Sequence, residues 1–233
     1  MPAWIDKQSV GGAAVAATLL CAGMLWAEPR PCPDDPMIRT EAESPAREAR
    51  ICAIVAAARP GLAACHLQQG RALDIQVVPE ITHPNAACMG TYDCRDERIR
   101  ITHPDALGNL LTPDSIWRRI PPEALFASLI VHELAHAFLD QAECTGVPCL
   151  ADHEYIAYAL QIDSLSPANR AAVLRGHTVP LPVDPTRLNG FIALAAPNRF
   201  AQSAWLHFAQ PENGCDFVGR LIRGEITLEL PPI

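Results

Sequence analysis

The sequence predicts an α+β protein, mainly helical, with one small sheet. Two observations set this class. Leu73-Asp74-Ile75-Gln76-Val77 and Arg98-Ile99-Arg100-Ile101-Thr102 alternate apolar and polar residues with the two-residue period of half-buried strands. Longer stretches, most of them beyond residue 120, carry helix start and stop signals instead.

Taken in order, the chain opens with a leader. Residues 8–27 hold no charge, follow Lys7, and include an Ala- and Gly-rich apolar run from Val10 to Trp26. This reads as a secretory signal peptide over residues 1–27, cleaved after Ala27. An uncleaved anchor is the alternative, since about 20 residues can span a bilayer. Residues 28–43 are Pro-rich and predicted extended. Ser44 and Pro45 then suit an N-cap and a first helical position. The helix they open carries Ile51, Cys52, Ile54, Val55 and Ala58, and Arg59-Pro60-Gly61 is expected to stop it.

The two alternating runs follow. They are expected to pair as antiparallel strands, with a loop bearing Cys88 and Cys94 between them. Ile-Thr-His-Pro occurs at 81–84 and at 101–104, which reads as coincidence rather than a repeat. A helix is predicted from about Pro122 to Gln141, with Pro121 and Pro122 punctuating its start and Glu123 in its first turn. A second begins at Asp152, read as its N-cap, and runs to Gln161. The link between them is short, which makes them antiparallel neighbours. Further helices are predicted near 167–175, 187–195, 198–209 and 215–222. Trp205, Phe208 and Phe217 are read as packing residues there.

Composition bounds the rest. A chain of 233 residues that is 49% hydrophobic can bury one sizeable core, so residues 28–233 are expected to form a single domain with a helical part over about 164–233. A net charge of −8 argues against a nucleic-acid surface. Of nine cysteines, Cys21 lies in the leader, which leaves an even number in an exported chain. That pattern predicts disulfides and a secreted or periplasmic location. The local pairings expected are Cys144–Cys149 and Cys88–Cys94, each flanking a turn-forming stretch. No stable membrane association is expected once the leader is cleaved.

The chemistry is concentrated in His132-Glu133-Leu134-Ala135-His136. Four residues apart on a helix, two imidazoles lie about 40° apart around the axis and roughly 6 Å apart along it, so both can reach one zinc ion. Glu133, beside the first histidine, can act on a water at the metal instead of binding it. The surrounding Leu129, Ile130, Val131, Leu134, Ala135, Ala137 and Phe138 are uncharged, as a dry metal site requires. A catalytic zinc needs a third protein ligand and keeps one position for water. Leu139 and Ala142 break the extended metzincin pattern. Glu154 and His153 are the candidates on the next helix. Glu154 shares a face with Tyr158 and Gln161, whereas His153 falls about 100° away.

Over about His132 to Gln161 the chain resembles the gluzincin zinc metallopeptidases, which pair HExxH with a glutamate on the following helix. It is also similar, more loosely, to small secreted bacterial proteins with the same two helices. The gluzincin resemblance implies a zincin-like fold with the sheet beside the HExxH helix and an edge strand that holds an extended peptide. It implies His132, His136 and Glu154 as ligands of one zinc ion and Glu133 as general base. Thermolysin-like members carry an acidic residue four positions after the ligand glutamate; here Tyr158 stands there. Tyr155, Tyr158 and His177 are candidate donors to an oxyanion. The expected function is therefore an exported zinc hydrolase, a metallopeptidase acting on a peptide or protein. The alternatives are a zinc-bearing binding or scaffold protein without turnover and a disulfide-stabilised interaction protein without metal.

Overall fold

A computed structural model describes residues 29–81, 88–141 and 150–228. The predicted leader and the Cys144–Cys149 pair lie outside the described residues. Among the described residues, five strands form one mixed sheet beside a mainly helical body. The strands are β1 (Arg30–Cys32), β2 (Asp35–Glu41), β3 (Leu73–Val78), β4 (Gly90–Asp93) and β5 (Arg98–Thr102), in the order β1-β2-β3-β5-β4. Among the described residues the helices are α1 (Pro45–Ala64), α2 (Pro104–Leu110), α3 (Pro122–Gln141), α4 (Leu150–Asp163), α5 (Pro167–Leu174), α6 (Gly190–Ala195), α7 (Pro197–Phe208) and α8 (Gly214–Ile222). No helix among them is long and apolar enough to cross a membrane.

The Pro-rich start supplies two strands. β1 folds back on β2, and α1 then carries the chain to β3, which lies parallel to β2 with Ile38 opposite Leu73. A parallel neighbour needs such a crossover. Ser44 caps α1 by accepting from the Arg47 N–H at 3.2 Å, and Pro45 takes the first position, as the sequence indicates.

Pro60 does not end α1. The helix continues to Ala64, although a proline inside a helix costs about 3 kcal/mol. Burial of Leu62 and a disulfide from Cys65 to Cys215 at the head of α8 hold the extra turn in place. A second disulfide, Cys32–Cys52, ties β1 to the same helix. Arg59, just before the proline, pairs with Asp35 and Gln69.

The two predicted strands form, but they are parallel, with Ile75 opposite Ile99 and Val77 opposite Ile101. The reason is β4. The chain leaves β3, reverses into β4 at the sheet edge, and reverses again into β5, which slots between them with Gly90 opposite Ile101. Two reversals restore the original direction. The same strand excludes the expected Cys88–Cys94 bridge. Its four extended residues, Gly90–Asp93, run between the two cysteines and hold them apart. Both cysteines are free, Cys88 half-buried and Cys94 exposed.

α3 runs through the centre, against α1, α2 and α4 on its helical sides and β4 and β5 on the sheet side. Phe126, Ile130, Leu134, Ala135 and Phe138 are each at most 1% exposed. A helix apolar all round belongs in such a position. α7 covers α4 on the side away from the sheet, with Phe200 against the Tyr158 ring, so the C-terminal helices support α4 from behind. Trp205, Phe208 and Phe217 pack against this core while staying partly exposed.

Candidate metal centre

α3 and α4 pack side by side, with His132 against Gln161 and His136 against Glu154. Later residues of one helix meet earlier residues of the other, so the pair is antiparallel. α4 starts at Leu150, two residues before the predicted cap. Asp152 is thus inside the first turn rather than capping it, and its carboxylate accepts from the Leu228 N–H at 2.7 Å and the Thr227 hydroxyl at 3.1 Å.

The packing brings three donors together. His132 Nε2 and His136 Nε2 are 3.1 Å apart, and the Glu154 carboxylate lies 3.8 Å from the first and 3.7 Å from the second. Ligand atoms around a tetrahedral zinc with bonds of about 2.0–2.1 Å sit about 3.3 Å from one another. The two glutamate distances run to different carboxylate oxygens, and one donor atom from each residue lies within 4.8 Å of the others; two imidazoles and one carboxylate suit the ion. The cluster could hold a metal ion. His153 is not part of it: its ring stacks outside His136 with centroids 6.2 Å apart.

A fourth residue orients the first ligand. The carboxamide oxygen of Gln161 lies 3.0 Å from His132 Nδ1. A carboxamide oxygen only accepts, so Nδ1 carries the proton and Nε2 presents its lone pair to the cluster. Gln161 in turn donates to the Ser128 hydroxyl at 3.2 Å, and Ser128 donates to the Leu125 carbonyl at 2.9 Å. The chain of bonds is complete and buried.

Burial sets the protonation of the site. It pushes the His132 pKa down to about 4, against the bond to Gln161, and drives His136 well below its ordinary value. Both imidazoles are therefore neutral and able to bind a cation. Burial likewise raises Glu154 to about 7 and Glu133 to about 8, the latter with help from the nearby Glu154 charge. The main-chain amide of Tyr92 opposes the shift at Glu133. Two carboxyls and two imidazoles without a cation form an unfavourable charge arrangement, and a divalent ion would relieve it.

The cluster opens into a cavity of about 550 Å³. Its floor is one face of α3 from Leu129 to Asp140, about 16 Å long. β4 forms one wall. At Gly90 that strand touches Glu133: a β-carbon there would stand 2.6 Å from its Oε1 and 3.1 Å from its Cγ. Trp117, Met89 and Leu129 line the cavity as well, and Cys88 rests its thiol on the Gly90 carbonyl at 2.7 Å.

The sequence-derived donors separate. Tyr158 lines the cavity, its ring edge-on to His132 with centroids 4.7 Å apart. Tyr155 does not; its hydroxyl is buried 2.9 Å from His207 Nδ1, as in a core tyrosine with a satisfied hydroxyl. His177 also lies outside the lining, beyond the end of α5. Gln161, Gly90 and Tyr92 had no assigned role in the sequence. For Gln161 the signal was present, because it follows Glu154 and Tyr158 on one face of α4. For β4 it was the Gly-Thr-Tyr run, which reads equally well as a loop.

The profile of a family described as a family of unknown function, DUF6639, matches residues 38–231. No curated protein and no solved structure matches the chain.

Proposed function

The chain belongs to this family of unknown function, and we propose that it is an exported zinc-dependent hydrolase, a metallopeptidase of zincin-like design. The observation that carries this reading is the convergence of His132, His136 and Glu154, with donor atoms within 4.8 Å of one another and Glu133 beside them in an open cavity. His132, His136 and Glu154 would hold one zinc ion per chain. Zinc bound there would supply Lewis acidity and a water acidified to near neutrality.

The protein's own groups do the rest. Glu133 takes a proton from the attacking water and hands it to the leaving amine. Tyr158 is the hydroxyl on hand for a developing oxyanion. Gln161 keeps His132 in the ligating tautomer. β4 is the sheet's outer strand and lines the cavity, so its open side offers main-chain hydrogen bonds to an extended peptide. Two disulfides suit an oxidising, extracellular location, consistent with export by the leader.

The test begins with metal content. Purified protein should carry about one zinc per chain. Glu154→Ala and His136→Ala should lose it, and His153→Ala should keep it. Glu133→Gln should keep zinc and lower peptide hydrolysis by about 10²–10⁴-fold. Zinc binding without hydrolysis by the wild type would instead favour a scaffold role. A wild-type chain that takes up no zinc rejects the reading.

A further inference from the structure

Besides the Gln161–Ser128 bonds, a second polar cluster outside the ligand set reaches the candidate site, and it is centred on Tyr92 in β4. Its hydroxyl lies 2.9 Å from Glu97 Oε2 and 3.2 Å from Asp140 Oδ2. Glu97 sits at the turn before β5, and Asp140 lies in the last turn of α3. Arg71 binds the same two carboxylates, at 2.6 Å and 3.1 Å. Gln141 donates to Glu97 at 2.8 Å while accepting from the main-chain N–H groups of Gly70 and Arg71. Five side chains thus tie the outer strand to the helix that carries Glu133.

Two residues back along the strand, the backbone at Gly90 lies against the Glu133 carboxylate, so close that even a methyl group would collide with it. The Tyr92 main-chain amide faces the same carboxylate. β4 is hydrogen-bonded to β5 on one side only, so the sheet alone does not fix its distance from α3. The tyrosine hydroxyl adds a direct tie from the strand to α3, beside the Arg71 and Gln141 bonds.

We propose that Tyr92 is a positioning residue: its hydroxyl, latched to Glu97 and Asp140, holds β4 against α3 so that the strand's backbone fixes where the Glu133 carboxylate stands. This rests on the hydrolase reading for its catalytic consequence, but not for its geometry. Tyr92→Phe removes the latch and keeps the ring. Zinc content stays at the wild-type level, because no ligand is touched. Hydrolysis falls about 10- to 100-fold in kcat with KM little changed, the scale on which a misplaced reacting group is felt.

The experiment compares Tyr92→Phe in the wild-type and in the Glu133→Gln backgrounds. A residue acting through Glu133 loses its effect once that carboxylate is gone, so the double variant should hydrolyse no more slowly than Glu133→Gln alone. An equal fold loss in both backgrounds, or no loss in either, overturns the proposal. Crystal structures of the wild type and Tyr92→Phe read the geometry without activity. The carboxylate should leave the Gly90 backbone in the variant, and an unmoved carboxylate overturns the proposal. If the wild type shows no hydrolysis, the hydrolase reading fails, and these structures alone decide whether the latch exists.

Discussion

At Gly90 a missing side chain decides what its neighbour can do. β4 is pinned to β5 there, and Glu133 fills the space a β-carbon would take. Gly90→Ala should therefore displace the carboxylate rather than the strand. The expected outcome is retained zinc, a loss of about 1–3 kcal/mol in denaturant unfolding from overpacking, and hydrolysis lowered by about 100-fold. Unchanged hydrolysis would show that Glu133 has another productive place. Single residues were legible in the sequence where their chemistry is local. His132, Glu133 and His136 declare themselves by spacing along one helix, and Glu154 by its face on the next. Tyr92 could not be read in this way. Its partners, Glu97 and Asp140, are 5 and 48 positions distant, and nothing in the tyrosine itself points to them.

Among elements, α3 was readable to both ends, since Pro122 and the uninterrupted apolar run are local signals. α1 overran its proline stop because tertiary contacts outweigh a local preference. β4 was missed because four residues carry too little periodicity, and the parallel pairing of β3 with β5 follows only from its presence. α1 bears one bridged cysteine, Cys52, and another, Cys65, caps its end. The Cys65–Cys215 bridge closes 150 residues of chain. Replacing both cysteines by serine should cost about 2–5 kcal/mol, because the unfolded chain regains the freedom of that long loop. Chemical denaturation of the zinc-loaded double variant measures this. A loss under about 1 kcal/mol would mean the bridge constrains the unfolded chain little.

For the whole molecule, the class and helical weight were evident beforehand, while the strand order was not, since it is fixed by contacts between distant segments. The charge state of the site also becomes a property of the entire fold. Glu133 and Glu154, with folded values of about 8 and 7 against an ordinary 4.5, bind protons more tightly folded than unfolded. Their contribution to stability is full below the ordinary value and is lost as pH rises through 7 to 8. His132, at about 4 against 6.5, has the opposite sign: its contribution is full above 6.5 and is lost as pH falls toward 4. His136 and His207 shift in the same direction as His132. Chelated protein should therefore melt highest near about pH 6 and lower on both flanks. Zinc should flatten the alkaline flank by stabilising the carboxylates. Thermal melts from pH 4 to 9, with and without the ion, check this, and an alkaline flank that is flat without zinc would contradict the burial of the two glutamates.

The long sulfur link has an effect on damaged molecules too. A single peptide cut anywhere between Cys65 and Cys215 leaves two fragments still joined covalently. Nicked chains would migrate at full mass in a non-reducing gel and separate only after thiol treatment. In a medium rich in proteases, one clip need not scatter the pieces that bear the two halves of the site.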